Sequence, residues 1–269
     1  MRLAPEAADA GYRLVALGAT GSTNDDAVAA ARDGDPGLLW VTAGEQLAGR
    51  GRHGRAWASP PGNLHASLLL VDPCEPAIAP ELGFVAGLAL HEAVEAVTGA
   101  GVPRVALKWP NDLLVDGAKA AGLLLEGHRI GRSLAVVVGF GVNVAAAPAE
   151  TPYPAATLQS LRPGLQPETL FEALSGAVAR ALAAWRPARS GAADPFGAIR
   201  TRWLQRAAGL GGDVRLRLPS GERHGVFEGL DRSGRLQLKT ASGLELIDAG
   251  DLYFPNLRPG TAEPGPAAG

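Results

Sequence analysis

Residues 105–127 read VALKWPNDLLVDGAKAAGLLLEG, and they predict a strand, a tight connection and a hairpin in immediate succession. Pro110 forces the residue before it out of the helical region, so the polar connection is extended. Asp116-Gly117 is a strong signal for a hairpin turn. The return strand carries Lys119 at its start and then runs apolar over 122–125. This lysine either extends its ammonium to solvent from the strand end or faces a ligand.

A second stretch, residues 45–57, reads EQLAGRGRHGRAW and is named here the Arg/Gly loop. Glycine lets a backbone approach a ligand closely, and arginine offers a fork of donors suited to phosphate and carboxylate. The pattern fits a loop that closes over an anion, and it equally fits a solvated basic loop or a nucleic-acid tail. GRGRHG also matches a dinucleotide-binding fingerprint, but Pro60-Pro61 exclude the helix that this fingerprint requires.

Two shorter motifs place polar side chains beside predicted elements. Ser22, Thr23 and Asn24 precede a helix predicted over 27–32, and all three are good N-cap residues. Three such residues exceed what one cap requires, so we expect some of them to face a ligand. GFGVN at 139–143 ends a predicted strand, where its glycines permit close approach beside an asparagine that can both donate and accept.

The periodicity of the chain predicts an α+β fold. Strands are predicted over 12–17, 38–43, 63–71, 105–107, 113–115 and 133–139, and helices over 80–99, over 167–185 and from 195. After 209–212 the period changes, and Ser-Gly turns separate short strands predicted over 214–218, 224–228, 236–239 and 244–247. This change predicts a small all-β barrel at the C-terminal end.

The composition excludes several classes of protein. The 269 residues carry a net charge of −2, so no overall basic bias favours nucleic acid. Cys74 is the single cysteine, which excludes an internal disulfide and favours a reducing cytoplasm. No run approaches the ~20 apolar residues that span a bilayer, and we expect no membrane partner. His91-Glu92 begins like a zinc helix, but the second histidine is replaced by Glu95, so we interpret this face as solvated and assign no metal ligand.

Four separated blocks resemble the biotin protein ligase family. They are GSTN (21–24), EQLAGRGRHGRAW (45–57), KWPNDLLV followed by KAAGLLLE (108–126), and GFGVN (139–143). The resemblance covers about residues 12–255. It implies a mixed, mainly antiparallel sheet with flanking helices, related to class II aminoacyl-tRNA synthetases, and a small SH3-like β-barrel. We therefore expect a catalytic domain over 1–210, an SH3-like domain over 211–258 and a disordered tail over 259–269.

The resemblance also implies the residues of an active site. Those expected to bind biotin are Ser22, Thr23, Asn24, Gln46, Arg50, Gly51, Arg52 and Lys119. Those expected to bind ATP or the adenylate are Arg50, Arg52, Trp57, Lys108, Asn111, Lys119 and Asn143. Those expected to be catalytic are Lys119, Arg52 and Asp112. His53 and Arg55 have no assigned contact, and Arg55 is expected at most to support the loop.

The activity implied by the resemblance has two steps. Biotin and ATP first give biotinyl-5′-AMP and pyrophosphate, with Mg²⁺ offsetting the repulsion between the two anions. A lysine of the biotin carrier domain of acetyl-CoA carboxylase or a related carboxylase then displaces AMP, with Asp112 orienting that lysine and accepting its proton. The Arg/Gly loop would keep water away from the adenylate as a lid.

Two other functions are alternatives to a biotin ligase, and the sequence also bears on DNA binding and on dimer formation. A lipoate–protein ligase would share the fold and the adenylation chemistry, although the GRGRxGRxW and KWPND blocks favour biotin. A non-catalytic nucleotide- or RNA-binding module would not need Lys119, Arg52 and Asp112 together. About a dozen residues precede the first predicted strand, so the helix-turn-helix domain of some relatives does not fit and no DNA binding is expected. Strand edges of such sheets often pair, which allows a homodimer.

Overall fold

The hairpin predicted at residues 105–127 belongs to a seven-stranded sheet in the computed structural model. The structure describes residues 1–253 except 102, 150, 152, 189–193, 195 and 249. The strands of this sheet are β1 (Arg13–Thr20), β2 (Leu39–Gln46), β3 (Leu64–Val71), β4 (Val105–Lys108), β5 (Asp112–Val115), β6 (Ala118–Ile130) and β7 (Ser133–Val142). Their order is β1-β2-β3-β7-β6-β5-β4. The β1–β2 pair is parallel and the other five neighbouring pairs are antiparallel, which confirms the expected mixed, mainly antiparallel sheet.

Helices cover both faces of the sheet. They are α1 (Pro5–Asp9), α2 (Thr23–Arg32), α3 (Glu81–Thr98), α4 (Pro167–Ala188) and α5 (Gly197–Leu204). Successive residues of a strand point to opposite faces. Val41 and Leu69 therefore pack with α2, whereas Trp40 and Leu68 lie in the larger core that includes residues of α3 and α4.

Two strands continue beyond their predicted ends, and this extension positions the site. β1 reaches Thr20 and β2 reaches Gln46, each three residues further than predicted. Thr20 and Gln46 still pair in register, because backbone hydrogen bonding continues where the apolar pattern has ended. The extension carries the side chain of Gln46 to the start of α2.

The residues after 212 form a second, five-stranded antiparallel sheet. Its strands are β8 (Asp213–Leu218), β9 (Gly221–Leu230), β10 (Leu236–Thr240), β11 (Gly243–Ile247) and β12 (Asp251–Tyr253), in the order β11-β10-β9-β8-β12. The four predicted strands are present, and β12 is an addition that the sequence pattern did not indicate. The domain division at 210/211 stays a prediction, and the tail over 259–269 lies outside the described residues.

One interpretation of the sequence was wrong. His91 is 1% exposed rather than solvated, and its Nε2 donates to the carbonyl of Val105 at 3.1 Å. The reason is that α3 packs against α4, α5 and β4, so little of its circumference reaches water. Burial lowers the pKa of His91. Of the helices within the described ranges, none combines the length and the apolar character of a membrane span.

Candidate active site

A pocket of about 640 Å³ lies where the Arg/Gly loop meets β5, β6, β7 and the start of α2. The structure brings together here every residue assigned to the site from the sequence. They are Ser22, Thr23, Asn24, Gln46, Arg50, Gly51, Arg52, Trp57, Lys108, Asn111, Asp112, Lys119 and Asn143. Segments more than one hundred residues apart in sequence thus line one cavity. The shared pocket shows where these residues lie, and the ligand role of each residue stays a prediction.

A compact charged group stands at one side of the pocket. Lys119 Nζ lies 2.6 Å from Asp112 Oδ1, and Lys108 Nζ lies 3.3 Å from Asp112 Oδ2. The hairpin creates this geometry because β5 begins at Asp112 and β6 carries Lys119 directly after the turn. Asp112 is 8% exposed, and a buried carboxylate is stable only with such partners. Two ammonium groups around one carboxylate leave an excess positive charge, which suits an anionic ligand.

Amides and hydroxyls form another part of the pocket wall. The backbone N–H of Thr23 donates to Gln46 Oε1 at 2.9 Å, and Gln46 Nε2 donates to Ser59 Oγ at 2.9 Å. Ser67 Oγ donates to Asn24 Oδ1 at 2.6 Å. Fixed donors and acceptors among apolar strands are what a small, flat, polar ring requires.

The start of α2 leaves its polar side chains available to the pocket. Ser22 occupies the N-cap position with extended backbone, but no side-chain hydrogen bond caps the helix. The buried hydroxyl of Ser22 and the amide of Asn24 both line the cavity. Capping therefore does not account for these side chains, and the expectation that some of them face a ligand stays a prediction.

Arg50 connects the Arg/Gly loop to α2 and β6. Its Nη1 and Nη2 lie 2.7 and 2.5 Å from the carboxylate oxygens of Asp25, and Nη2 lies 3.5 Å from Glu126 Oε2. The hydrogen bond from Arg50 lowers the pKa of Asp25. This pairing anchors the first half of the loop against the seven-stranded sheet.

The loop itself folds back as a short hairpin. The N–H of Gly51 donates to the carbonyl of Arg55 at 2.7 Å, and the N–H of Trp57 donates to the carbonyl of Gly49 at 2.9 Å. At its tip the exposed His53 has φ = 57°, in the left-handed region. This geometry points consecutive arginines in different directions.

The second half of the loop is bound to the C-terminal sheet. Arg55 forms an ion pair with Asp251 of β12 and donates to Tyr153 Oη at 3.2 Å. Arg52 Nη1 donates to the carbonyl of Gly250 at 3.2 Å. Burial lowers the pKa of Arg52. Burial by itself raises the pKa of Asp251, but the hydrogen bond and charge of Arg55 outweigh it and leave that pKa lowered. The C-terminal sheet therefore contributes directly to the pocket wall.

The glycines of GFGVN make room for two pocket side chains. A Cβ on Gly141 would lie 2.5 Å from Trp57 Nε1, and a Cβ on Gly139 would collide with Asn24 Oδ1. The close approach predicted at these glycines is thus made by Trp57 and Asn24 of the chain itself. The Trp57 indole also lies near Lys119, whose Nζ is 5.4 Å from the ring centre.

Sequence reasoning missed several residues that hold this site together. Ser67 and Glu126 hold Asn24, while Asp251 and Tyr153 hold Arg55. Glu126 ends the KAAGLLLE block and could have been selected from it. Asp251 lies 196 residues after its partner in an ordinary polar segment, where no local signal marks it.

The pocket does not contain a ready-made metal site. In the described ranges, no group of three or more histidine, cysteine, aspartate or glutamate side chains is arranged to hold a metal ion. The two carboxylates that line the pocket, Asp112 and Asp251, are both paired with cationic side chains. The residues present therefore do not fit a protein-held Mg²⁺.

Comparisons with known proteins identify the family of the chain. The Biotin/lipoate A/B protein ligase family matches residues 32–143, and the Biotin protein ligase C terminal domain matches residues 209–254. A biotin–[acetyl-CoA-carboxylase] ligase from Paracoccus denitrificans is 41% identical over 88% of this chain and 99% of its own length. One from Mycobacterium tuberculosis is 32% identical over 91% of this chain and 90% of its own.

A solved structure gives the same result for the fold. The biotin protein ligase from Aquifex aeolicus in complex with biotin and ATP superposes with a TM-score of 0.75 at 26% identity, over 90% of this chain and 97% of that chain. Its fold class, a mixed sheet followed by a C-terminal β sheet, is the one described above. The chain belongs to the biotin protein ligase family.

Proposed function

We propose that this chain is an ATP-dependent biotin protein ligase that forms biotinyl-5′-AMP and transfers the biotinyl group to a lysine of a carboxylase biotin carrier domain. The observation that carries the proposal is the convergence of Lys119, Asp112 and Arg52 with the amides of Asn24 and Gln46 in one pocket. The names of the relatives, which include the acetyl-CoA carboxylase as target, support the same activity and carrier.

In the first step, the ureido ring of biotin lies against Ser22, Thr23, Asn24 and Gln46. An oxygen of the biotin carboxylate attacks the α-phosphorus of ATP, the bond to the bridging oxygen breaks, and pyrophosphate leaves. Both reactants are anionic, so their approach needs fixed positive charge. The cations suited to this are Arg50, Arg52, Lys108 and Lys119, because prearranged charges stabilise the charge that develops in transfer.

The adenosine end of ATP has its own group of residues in this proposal. Trp57 offers an indole face for packing, and the buried Asn143 offers an amide that can both donate and accept. Asn111 and Lys108 lie toward the phosphates. Gly51, with no Cβ, lets the loop backbone approach the carboxylate and phosphate closely.

In the second step, the carrier lysine attacks the carbonyl carbon of the mixed anhydride and AMP leaves. A free lysine has a pKa of about 10.4 and is mostly protonated near neutral pH. Asp112 lies beside Lys119, where it can orient the incoming amine and accept its proton. No covalent link to the enzyme is needed, because the adenylate itself is the activated species.

Mg²⁺ would enter with the nucleotide rather than with the protein. Mg²⁺ keeps several waters and is commonly held by substrate phosphates plus few carboxylates. The pairing of Asp112 and Asp251 with cations supports this assignment. The role of the ion would be to offset phosphate charge.

The activity is tested by exchange and transfer assays on the purified chain. With ATP, Mg²⁺ and biotin, we expect exchange of labelled pyrophosphate into ATP, and we expect none when lipoate replaces biotin. Lipoate-dependent exchange would establish the lipoate-type ligase instead. If neither acid supports exchange, the enzyme proposal fails. Transfer is then measured on a carrier domain, with a carrier whose target lysine is replaced by arginine as the control.

A homodimer in a reducing cytoplasm completes the proposal. β1 is an edge strand of the first sheet, and Val15 on it is 43% exposed, which supports pairing with a second copy. The single cysteine and the net charge of −2 support a cytoplasmic protein whose macromolecular partner is a carrier protein and not DNA. Light scattering over a concentration series would give the oligomeric state.

A further inference from the structure

Glu126 lies behind the polar side of the pocket and holds two pocket residues at once. Asn24 Nδ2 donates to Glu126 Oε2 at 2.5 Å, and Arg50 Nη2 lies 3.5 Å from the same oxygen. An ionised carboxylate can only accept hydrogen bonds. The amide of Asn24 must therefore direct its nitrogen to Glu126 and its oxygen to Ser67.

The orientation of the Asn24 amide determines which hydroxyl group donates to which acceptor along Thr23, Ser67 and Asn24. Ser67 Oγ is 2.6 Å from Asn24 Oδ1, so the single hydrogen of Ser67 is donated there. Ser67 Oγ is also 2.7 Å from Thr23 Oγ1, a contact that needs one hydrogen. Since Ser67 has already used its own, Thr23 must be the donor. All three side chains are buried, so these partners within the protein satisfy most of their hydrogen-bonding capacity.

Thr23 consequently faces the pocket as an acceptor. Its one hydrogen is donated to Ser67 Oγ at 2.7 Å, and Gln46 Oε1 at 3.0 Å is a second acceptor for that hydrogen within the protein. What Thr23 Oγ1 retains for a ligand is a lone pair. If the amide of Asn24 were reversed, Ser67 could donate to Thr23, and Thr23 could then offer its hydrogen to a ligand instead.

We propose that Glu126 is a positioning residue that sets the direction of the Thr23–Ser67–Asn24 hydrogen-bond chain, so that the pocket accepts a ring N–H and rejects a ring acceptor at Thr23. The proposal rests on the proposed function, since the ureido ring of biotin supplies such an N–H. It assigns to Glu126 part of the selectivity for a cyclic urea, although Glu126 is not a lining residue of the pocket.

The test compares biotin with its cyclic carbamate analogue, in which one ring N–H is replaced by oxygen. The dissociation constant of each is measured without ATP for the wild type and for Glu126→Gln. We expect the wild type to prefer biotin by on the order of 100-fold, because an acceptor facing an acceptor leaves both unpaired. Glutamine can also donate, so Asn24 can reverse, and we expect the preference to fall below about 10-fold.

Two further variants separate the hydrogen-bond chain from the effect on Arg50. Ser67→Ala interrupts the chain without touching Arg50, and we expect it to reduce the preference as Glu126→Gln does, with no further loss in the double variant. Asp25→Asn disturbs Arg50 without touching the chain, and we expect it to keep the wild-type preference. Glu172→Gln, which removes an exposed partner of Arg2, is the control for loss of a carboxylate.

The outcomes distinguish the two proposals. If the wild type does not bind biotin, the proposed function fails. If the wild type binds biotin with the expected preference and Glu126→Gln retains that preference, the role of Glu126 is wrong. If Asp25→Asn lowers the preference as much as Glu126→Gln, the effect passes through Arg50 and the hydrogen-bond chain is not its cause. Far-UV circular dichroism and thermal unfolding confirm that each variant is folded.

Discussion

Lys119 Nζ and Asp112 Oδ1 lie 2.6 Å apart, in direct contact across the hairpin that joins β5 to β6. In the proposed mechanism the lysine acts in adenylate formation and the aspartate acts in transfer. The two steps therefore share one ion pair, and each partner must leave the other when its own substrate arrives. Lys108, 3.3 Å from the second oxygen of Asp112, keeps that carboxylate paired when Lys119 moves.

Replacing Lys119 by alanine should abolish most of the first step. We expect biotin-dependent pyrophosphate exchange to fall by about 10²–10³-fold, the usual loss when one prearranged charge is removed from a transfer site. Because Lys108 still pairs with Asp112, circular dichroism and the unfolding temperature should stay near those of the wild type. An exchange rate close to the wild-type rate would show that Lys119 is structural.

Replacing Arg52 by glycine should shorten the time for which biotinyl-AMP is retained. The change removes a half-buried guanidinium from the pocket together with its hydrogen bond to the Gly250 carbonyl. We expect release of labelled biotinyl-AMP to be faster by about 10-fold, as for loss of about 1.4 kcal/mol of binding free energy. His53→Gly, at the exposed neighbouring position, should release it at the wild-type rate. Equal rates for wild type and Arg52→Gly would disprove a retention role.

Asp251→Asn should weaken the attachment of the loop to the C-terminal sheet. The pKa of Asp251 is lowered in the folded protein. The ionised carboxylate therefore gives its full stabilisation above the unfolded pKa of about 3.9, and this stabilisation is lost as pH falls through the folded pKa. At pH 7.5 the wild-type pair with Arg55 is therefore fully charged. We expect adenylate release to accelerate with salt in the wild type, and to be faster but less sensitive to salt in Asp251→Asn. An unchanged salt dependence in the variant would exclude this ion pair as the attachment.

Alanine substitutions at the two glycines of GFGVN should affect different substrates. A Cβ at Gly141 would displace the Trp57 indole, and one at Gly139 would displace the Asn24 amide. We expect Gly141→Ala to raise the KM for ATP, and Gly139→Ala to raise the KM for biotin, each by about 10-fold, equivalent to about 1.4 kcal/mol. Initial rates with one substrate varied at a time measure both constants. If Gly141→Ala instead raised the KM for biotin and Gly139→Ala raised the KM for ATP, the biotin and adenine ends of the pocket would have to be exchanged.

The buried imidazole of His91 should make stability depend on pH. Burial lowers the pKa of His91 in the folded protein. The free energy of unfolding therefore has its full value above the unfolded pKa of about 6.5, and it declines as pH falls through the folded pKa. His91→Gln keeps a donor for the Val105 carbonyl but binds no proton. We expect its unfolding temperature to fall less than that of the wild type between pH 7 and pH 5. Some decline should remain because His65 is also buried with a lowered pKa. Identical declines would contradict this role of His91.

The parts of the molecule that could be predicted from sequence are those that local pattern determines. Turn residues and alternation located the hairpin that carries Asp112 and Lys119, and the Ser-Gly turns located the strands after Gly212. The residues of the pocket were predicted from motifs. This was possible because proteins that bind the same class of ligand use a restricted set of side-chain types.

Contacts between distant segments could not be predicted in this way. Arg55 and Asp251 are 196 residues apart, and no residue near either of them in sequence indicates that the two side chains form an ion pair. Ser67 lies in a strand that is buried over almost its whole length, where a small hydroxyl side chain gives no periodic signal. His91 shows the converse error, since a polar type in a helix indicates solvent only when no other element covers that face.

The Arg/Gly loop is fastened at two points, through Arg50 to Asp25 and Glu126 and through Arg55 to Asp251. None of these acidic partners is among the residues assigned to the chemistry of either step. In the proposed mechanism, the lifetime of the adenylate can therefore change through these carboxylates while the chemical rates stay constant. The proposal thus gives the rate of adenylate formation and the lifetime of the adenylate separate structural determinants.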